Sequence, residues 1–108
     1  MEVPIACSLS PGEARDRVEE WRRLFATSIE AAETVGADLL KLRLAPSTGV
    51  VEQVVDLARR EKSCCPFFDF SIAVEPAGSW LVVGVPTAAE PVLRDFAALV
   101  PEALRTGT

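Results

Sequence analysis

The chain has 108 residues, of which 16 are acidic and 11 basic, so its formal net charge is −5. We expect a single domain over residues 1–108, because chains of this length seldom hold a second core. The basic residues are scattered along predicted helices rather than gathered in a stripe, which argues against direct nucleic-acid binding. No apolar run approaches a membrane span and the start lacks a secretory signal, so we expect no membrane association and a cytoplasmic location.

The first elements are indicated by alternation and by a helix-start motif. Residues 3–9 alternate apolar and polar side chains and predict a strand. Ser10, Pro11 and Glu13 are typical of a helix start, since the serine and the glutamate can form a capping box and proline suits the first helical position. Apolar residues then recur at helical spacing to about residue 26, which predicts the first helix.

The middle of the chain predicts a hairpin followed by a second helix. Residues 28–34 and 38–45 are interpreted as a β-hairpin, the second strand alternating leucines with basic residues. Ser47 is a candidate side-chain cap for a helix over residues 50–63. In that helix Glu61 falls in the same phase as the apolar residues, so it is predicted to lie on the inward face.

The last third predicts a second hairpin and a third helix. Residues 67–75 and 80–86 are interpreted as its strands. Thr87 and Glu90 have the spacing of a second capping box, and the helix they open is expected to fray after Pro101. The order β-α-β-β-α-β-β-α predicts an α+β two-layer sandwich of ferredoxin-like topology, with an antiparallel sheet and the helices on one face.

The cysteines suggest a site rather than ordinary packing. Cys64 and Cys65 are adjacent at the end of the second helix, and Cys7 is near the end of the first strand, in a chain with no histidine. In a ferredoxin-like fold those two ends lie at the same edge, so the three sulfurs are predicted to meet. Three thiolates select soft ions, namely Hg(II), As(III), Cd(II), Cu(I) or Zn(II), and no organic cofactor is indicated.

Two carboxylates accompany the cysteine pair. Glu61 precedes it by three and four positions, so it can share the cysteines' helix face as a fourth ligand or a hydrogen-bonding partner. Asp69 follows Cys65 by four positions on the next predicted strand. An enzyme is the alternative to a binding protein. In organomercurial cleavage, a thiolate of Cys65 with Cys64 or Cys7 would bind mercury and Asp69 would relay the proton. In thiol redox chemistry, Cys65 would attack and Cys64 or Cys7 would resolve the intermediate.

A third reading makes the cysteines part of the core. Cysteine is among the most buried residue types, and Cys7 shares its phase with apolar neighbours. The function would then lie in protein interaction, with Trp80 on an open sheet face serving homodimerisation or docking to a DNA-binding regulator.

The segments "IACSLSPGEARDRVEEWRRLF" and "ARREKSCCPFFDFSIAVEP" resemble a bacterial group of small proteins and domains marked by a Cys-Cys-Pro-Phe motif. The resemblance covers roughly residues 3–99. Similar domains follow the DNA-binding domain along the chain of some MerR-type metal-responsive regulators. The mercury sensors of the MerR type bind the ion through three cysteine thiolates. It implies effector binding at Cys7, Cys64 and Cys65, with Glu61 beside them. Because this chain has neither a winged helix nor a long dimerisation helix, the resemblance implies that the protein binds an ion, and it does not extend to regulation through DNA. The expected function is therefore binding of soft ions in metal sensing, buffering or resistance.

Overall fold

The structure is a computed structural model that describes residues 10–106. The strand predicted over residues 3–9, with Cys7, lies outside the described residues. The helices and strands are α1 (Pro11–Ser28), β1 (Ile29–Val35), β2 (Leu39–Leu44), α2 (Val50–Cys64), β3 (Asp69–Glu75), β4 (Gly78–Gly84), α3 (Glu90–Ala97) and β5 (Arg105–Thr106), with short 3-10 helices at Thr87–Ala89 and Glu102–Leu104. Across residues 10–106, every helix is too short or too polar to cross a membrane.

The strands form one sheet in the order β3-β4-β2-β1-β5. Strands β1 to β4 pair in an antiparallel manner, and β5 adds to β1 in parallel. The α+β class and the antiparallel arrangement of both hairpins are therefore confirmed. The described strands do not follow the ferredoxin-like order. In that order the first strand of the chain would lie beside β2, whereas in the structure β4 hydrogen-bonds directly to β2. The chain end also differs from the expected fraying, since β5 returns to the sheet.

Of the three predicted side-chain caps, only the first is present. The Glu13 N–H donates to Ser10 Oγ at 3.3 Å and the Ser10 N–H donates to Glu13 Oε1 at 3.1 Å, which confirms that capping box. The Ser47 prediction is wrong: α2 is capped by Gly49 at φ 90°, and Ser47 offers its backbone carbonyl instead. The box at Thr87 and Glu90 is also wrong, because a 3-10 turn occupies Thr87–Ala89 and α3 starts without a side-chain cap.

The core lies between the helices and one face of the sheet. Its centre is a group of stacked and edge-to-face rings, and Trp21, Phe25 and Phe96 are each fully buried. The Trp21 and Phe96 ring centroids are 4.8 Å apart, and those of Phe25 and Phe96 are 5.4 Å apart. This packing fixes α1 and α3 against each other and holds the Trp21 side chain in one place, which matters for the site described below.

The opposite face of the sheet is less covered. Leu40 and Leu42 are buried, while Lys41 and Arg43, which alternate with them, are only partly so. Trp80 pairs with Arg43 across the strands, and both Lys41 Nζ (4.8 Å) and the Arg43 guanidinium (5.8 Å) lie over its ring. The half-buried Trp80 thus belongs to a cation–π group on the face away from the core.

Candidate functional site

The cysteine pair lies where α2 ends. Cys64 is the last helical residue, and Cys65 has left the helix at φ −129° and ψ 83°. Pro66 accounts for this ending, because proline disfavours helical geometry in the residue before it. The Cys65 N–H still donates to the Glu61 carbonyl at 2.7 Å. The prediction that the second helix ends at the cysteines is confirmed.

The turn after the pair is held by a lysine. Lys62 Nζ donates to the carbonyl oxygen of Pro66 at 2.6 Å and to that of Phe68 at 2.7 Å. The Phe68 N–H donates to the Cys65 carbonyl at 3.2 Å, and the Phe68 ring is fully buried. The backbone that carries the cysteines is therefore fixed on both sides, by the helix before it and by this turn after it.

Glu61 is the most unusual side chain of the region, because it is a fully buried carboxyl group. Its Oε1 accepts two hydrogen bonds, from Trp21 Nε1 at 2.9 Å and from Arg17 Nη1 at 3.3 Å. Burial raises the pKa of Glu61, while the bonds from Trp21 and Arg17 oppose the rise. The inward position of Glu61 agrees with its phase in α2, whereas its partners were not predicted.

The second oxygen of the same carboxyl group is different. Within residues 10–106, Glu61 Oε2 has no hydrogen-bond partner, although it is shielded from solvent. A buried polar atom left without a partner costs about 1–3 kcal/mol, so native structures contain few of them. One oxygen of Glu61 thus takes two donors and the other takes none, which leaves an acceptor open at the site.

Arg17 connects the carboxyl group to the cysteine pair. Its side chain is only 10% exposed, and Nη1 lies 3.3 Å from Glu61 Oε1 and 3.9 Å from Cys64 Sγ. We call Arg17, Trp21, Glu61 and Cys64 the Glu61 cluster. Trp21 is one of the apolar residues whose helical spacing predicts α1, and it is fully buried. Neither its indole N–H donor nor Arg17 was predicted. The available signal was an arginine four residues before Trp21, on the inward face of an amphipathic helix.

The two adjacent cysteines differ in burial and in chemical state. Cys64 is half-buried and carries a thiol, whereas Cys65 is fully buried and disulfide-bonded. Cys7 lies outside the described residues, so the predicted meeting of three sulfurs stays a prediction. Within residues 10–106 there is no group of three or more Cys, Asp, Glu or His side chains placed to hold a metal ion.

Asp69, the carboxylate considered for proton relay, begins β3 and is exposed. Its backbone pairs with Gly84 of β4. Among the described carboxylates near the cysteines, Glu61 is the one whose partner Arg17 also contacts a cysteine sulfur. The position of Glu61 on the cysteines' helix face is therefore more informative than the spacing that drew attention to Asp69.

Comparisons with protein-family models, curated proteins and solved structures find no match for this chain. The function is therefore argued from the chemistry of the Glu61 cluster and the cysteine pair.

Proposed function

We propose that the protein binds soft metal or metalloid ions, Hg(II), As(III), Cd(II) or Cu(I), through the thiolates of Cys7, Cys64 and Cys65, in sensing, buffering or resistance. The observation that carries the proposal is a half-buried cysteine sulfur beside a buried carboxyl group with an unpartnered oxygen. The cysteine sulfur is the soft ligand atom that such ions select, and Glu61 adds a carboxyl oxygen from the same cluster.

The proposed site works in its reduced form. Cys65 is disulfide-bonded in the structure, so its sulfur becomes a ligand only after that bond is reduced. Thiols are kept reduced in the cytoplasm, where we expect the protein to act. The contribution of Cys7 depends on the predicted strand over residues 3–9 and requires that this strand end near the end of α2.

The test is an anaerobic titration of the fully reduced protein with Hg(II), As(III), Cd(II) and Cu(I). Ultraviolet charge-transfer bands report sulfur–metal bonds, and a thiol reagent counts the sulfurs that remain. We expect one ion per chain, with the loss of all three thiols for the metal cations and of at least two for As(III), and no binding by Cys64→Ser or Cys65→Ser. Ser63→Ala is the matched control, since Ser63 is an exposed neighbour on the same helix end. Unchanged stoichiometry and affinity in both cysteine variants would refute the proposal.

A thiol-redox enzyme is the second candidate, favoured by a thiol on Cys64 next to a disulfide-bonded Cys65. In that chemistry the reduced Cys65 thiolate attacks a hydroperoxide, forming a sulfur–oxygen bond and breaking the oxygen–oxygen bond. A second thiol, on Cys64 or Cys7, then displaces water to form a disulfide, and an external dithiol restores both thiols. A peroxide assay coupled to dithiol consumption decides this candidate, which is wrong if no turnover exceeds the rate of the Cys65→Ser variant.

A further inference from the structure

The charge of Arg17 limits which soft ligand suits the Glu61 cluster. Its guanidinium is permanently charged, is 10% exposed, and has one nitrogen 3.9 Å from Cys64 Sγ. That charge is already balanced by the carboxyl group of Glu61, 3.3 Å from the same nitrogen, in a poorly solvated place. An uncharged thiol-binding species leaves the balance of the Arg17–Glu61 pair unchanged, so it suits the cluster.

The open acceptor adds a second requirement. Glu61 Oε2 is buried and has no hydrogen-bond partner within residues 10–106, whereas Oε1 already accepts from Trp21 and Arg17. A ligand that carries a hydroxyl group supplies the missing donor. A bare thiophilic cation held only by sulfur does not.

The space at the cluster adds a third requirement, on size. Arg17 Nη1 lies 3.3 Å from Glu61 Oε1 and 3.9 Å from Cys64 Sγ, so the separation of these two atoms is no more than the sum of the two distances. A ligand that bridges the sulfur and the carboxyl group is therefore a few atoms in size.

We infer that the site takes a trivalent metalloid hydroxide, of which arsenous acid is the probe, bound to Cys64 with its remaining hydroxyl donating to Glu61 Oε2. The inference rests on the proposed function and names the ligand class of the same site. Arsenous acid is uncharged near pH 7, carries hydroxyl groups and is small, so it meets the three requirements together.

Binding exchanges oxygen for sulfur without a change of oxidation state. The thiol of Cys64 and one further thiol of the reduced protein each form an arsenic–sulfur bond. Two arsenic–oxygen bonds break, and the two hydroxides leave as water with the protons of the thiols. The third hydroxyl stays on arsenic and donates its proton to the hydrogen bond with Glu61. Arg17 and Trp21 keep the carboxyl group oriented by holding its other oxygen.

The experiment titrates the reduced full chain anaerobically with arsenite and with Hg(II) in parallel, using wild type, Glu61→Gln, Cys64→Ser and the control Glu52→Gln. Glu52 is exposed at the start of α2, so its amide variant removes an equal charge away from the cluster. In Glu61→Gln the amide oxygen can still accept from Trp21, but an N–H₂ donor takes the place of Oε2. We expect Glu61→Gln to weaken arsenite binding by about tenfold or more, the effect of one hydrogen bond to a charged group. Hg(II) binding should not weaken in that variant.

A measurement on wild type alone guards against a variant that does not fold. Methylarsonous acid carries two hydroxyl groups, so none remains on arsenic once two thiols have replaced them. We therefore expect wild type to prefer arsenite over methylarsonous acid by about tenfold more than dithiothreitol does under the same conditions.

The outcomes separate the inference from the function on which it rests. Stoichiometric Hg(II) binding together with an arsenite affinity that is equal in wild type and Glu61→Gln overturns the inference and leaves the ion-binding function standing. The same holds if Cys64→Ser binds arsenite normally, or if wild type shows no preference beyond that of dithiothreitol. Failure of every ion to bind overturns both.

Discussion

Replacing Arg17 by methionine removes the charged partner of a buried carboxyl group while keeping an unbranched apolar stem. The change deletes the 3.3 Å contact to Glu61 Oε1 and leaves the 2.9 Å bond from Trp21 Nε1. Taking one partner from a buried ion pair costs about 3–5 kcal/mol when the other remains charged. Glu61 can avoid part of this cost by taking up a proton, however, and its burial already raises its pKa.

Protonation of Glu61 limits the electrostatic part of the lost stability. Keeping a carboxyl group protonated costs about 1.36 kcal/mol for each pH unit above its ordinary pKa. For Glu61, whose ordinary value is 4.5, the limit is about 3.4 kcal/mol at pH 7 and about 0.7 kcal/mol at pH 5. A group whose folded pKa is raised makes the fold less stable as pH rises through that range. We therefore expect Arg17→Met to lose about 2–3 kcal/mol at pH 7 and about 1 kcal/mol or less at pH 5.

Urea unfolding followed by tryptophan fluorescence measures this loss at both pH values. With a slope of about 2 kcal/mol per molar urea, the midpoint should fall by about 1–1.5 M at pH 7. Adding Glu61→Gln to Arg17→Met should remove the pH dependence of the loss, since the ionisable group is gone. Arg23→Met is the matched control, because Arg23 is an exposed arginine on the same helix. A loss that is equal at the two pH values, or that persists unchanged in the double variant, would contradict the reasoning.

Three further expectations concern the fold. Ser10→Ala should cost about 1 kcal/mol by thermal melts at pH 7, because it removes the Oγ acceptor of the Glu13 N–H. The Ser10 backbone N–H, the main cause of the lowered pKa of Glu13, stays in this variant, so the contribution of Glu13 should still be lost as pH falls through its lowered pKa; a variant as stable as wild type at pH 7 would count against this. Phe96→Ala should cost about 3–5 kcal/mol by urea unfolding, because the ring is fully buried among other rings, whereas a loss below about 1 kcal/mol would mean that the core refills the space. Gly49→Ala should cost about 1–2 kcal/mol by thermal melts, because Gly49 has φ 90° and nothing lies within 4 Å of the added carbon, so the cost is one of backbone strain alone. Gly49→Asn should cost less, and equal costs would mean that backbone strain is not the cause.

The helices and hairpins were predictable because their signals are local. The leucine alternation of the 38–45 segment matches β2, in which Leu40, Leu42 and Leu44 are buried. The capping box at Ser10 depends on residues three apart, and it is present. Local motifs failed at Ser47 and Thr87, where a left-handed glycine and a 3-10 turn satisfy the chain instead. A cap motif shows which hydrogen bond is available at a helix start. Whether that bond forms depends on the backbone conformation of the residues that lead into the helix.

Half of the candidate site was predictable on the same ground. The proline after Cys65 stops α2 at the cysteine pair, and the helical phase turns Glu61 inward. The partners of Glu61 could not be predicted, because Trp21 is 40 residues and Arg17 is 44 residues away along the chain. Periodicity tells which face of α1 is buried and says nothing about which residue of α2 it meets.

The sequence by itself therefore determined the three helices, the two hairpins, the inward face of β2 and the placement of the cysteine pair at a helix end, since steric and hydrogen-bonding preferences within a few residues set these features. Only the tertiary structure decided the strand order and the Glu61 cluster. Packing of α1 against α2 brings the Arg17 guanidinium to both Glu61 and Cys64 and leaves one carboxyl oxygen without a partner within residues 10–106. These contacts depend on how whole faces fit together, and that fit is a property of the assembled core rather than of any short segment.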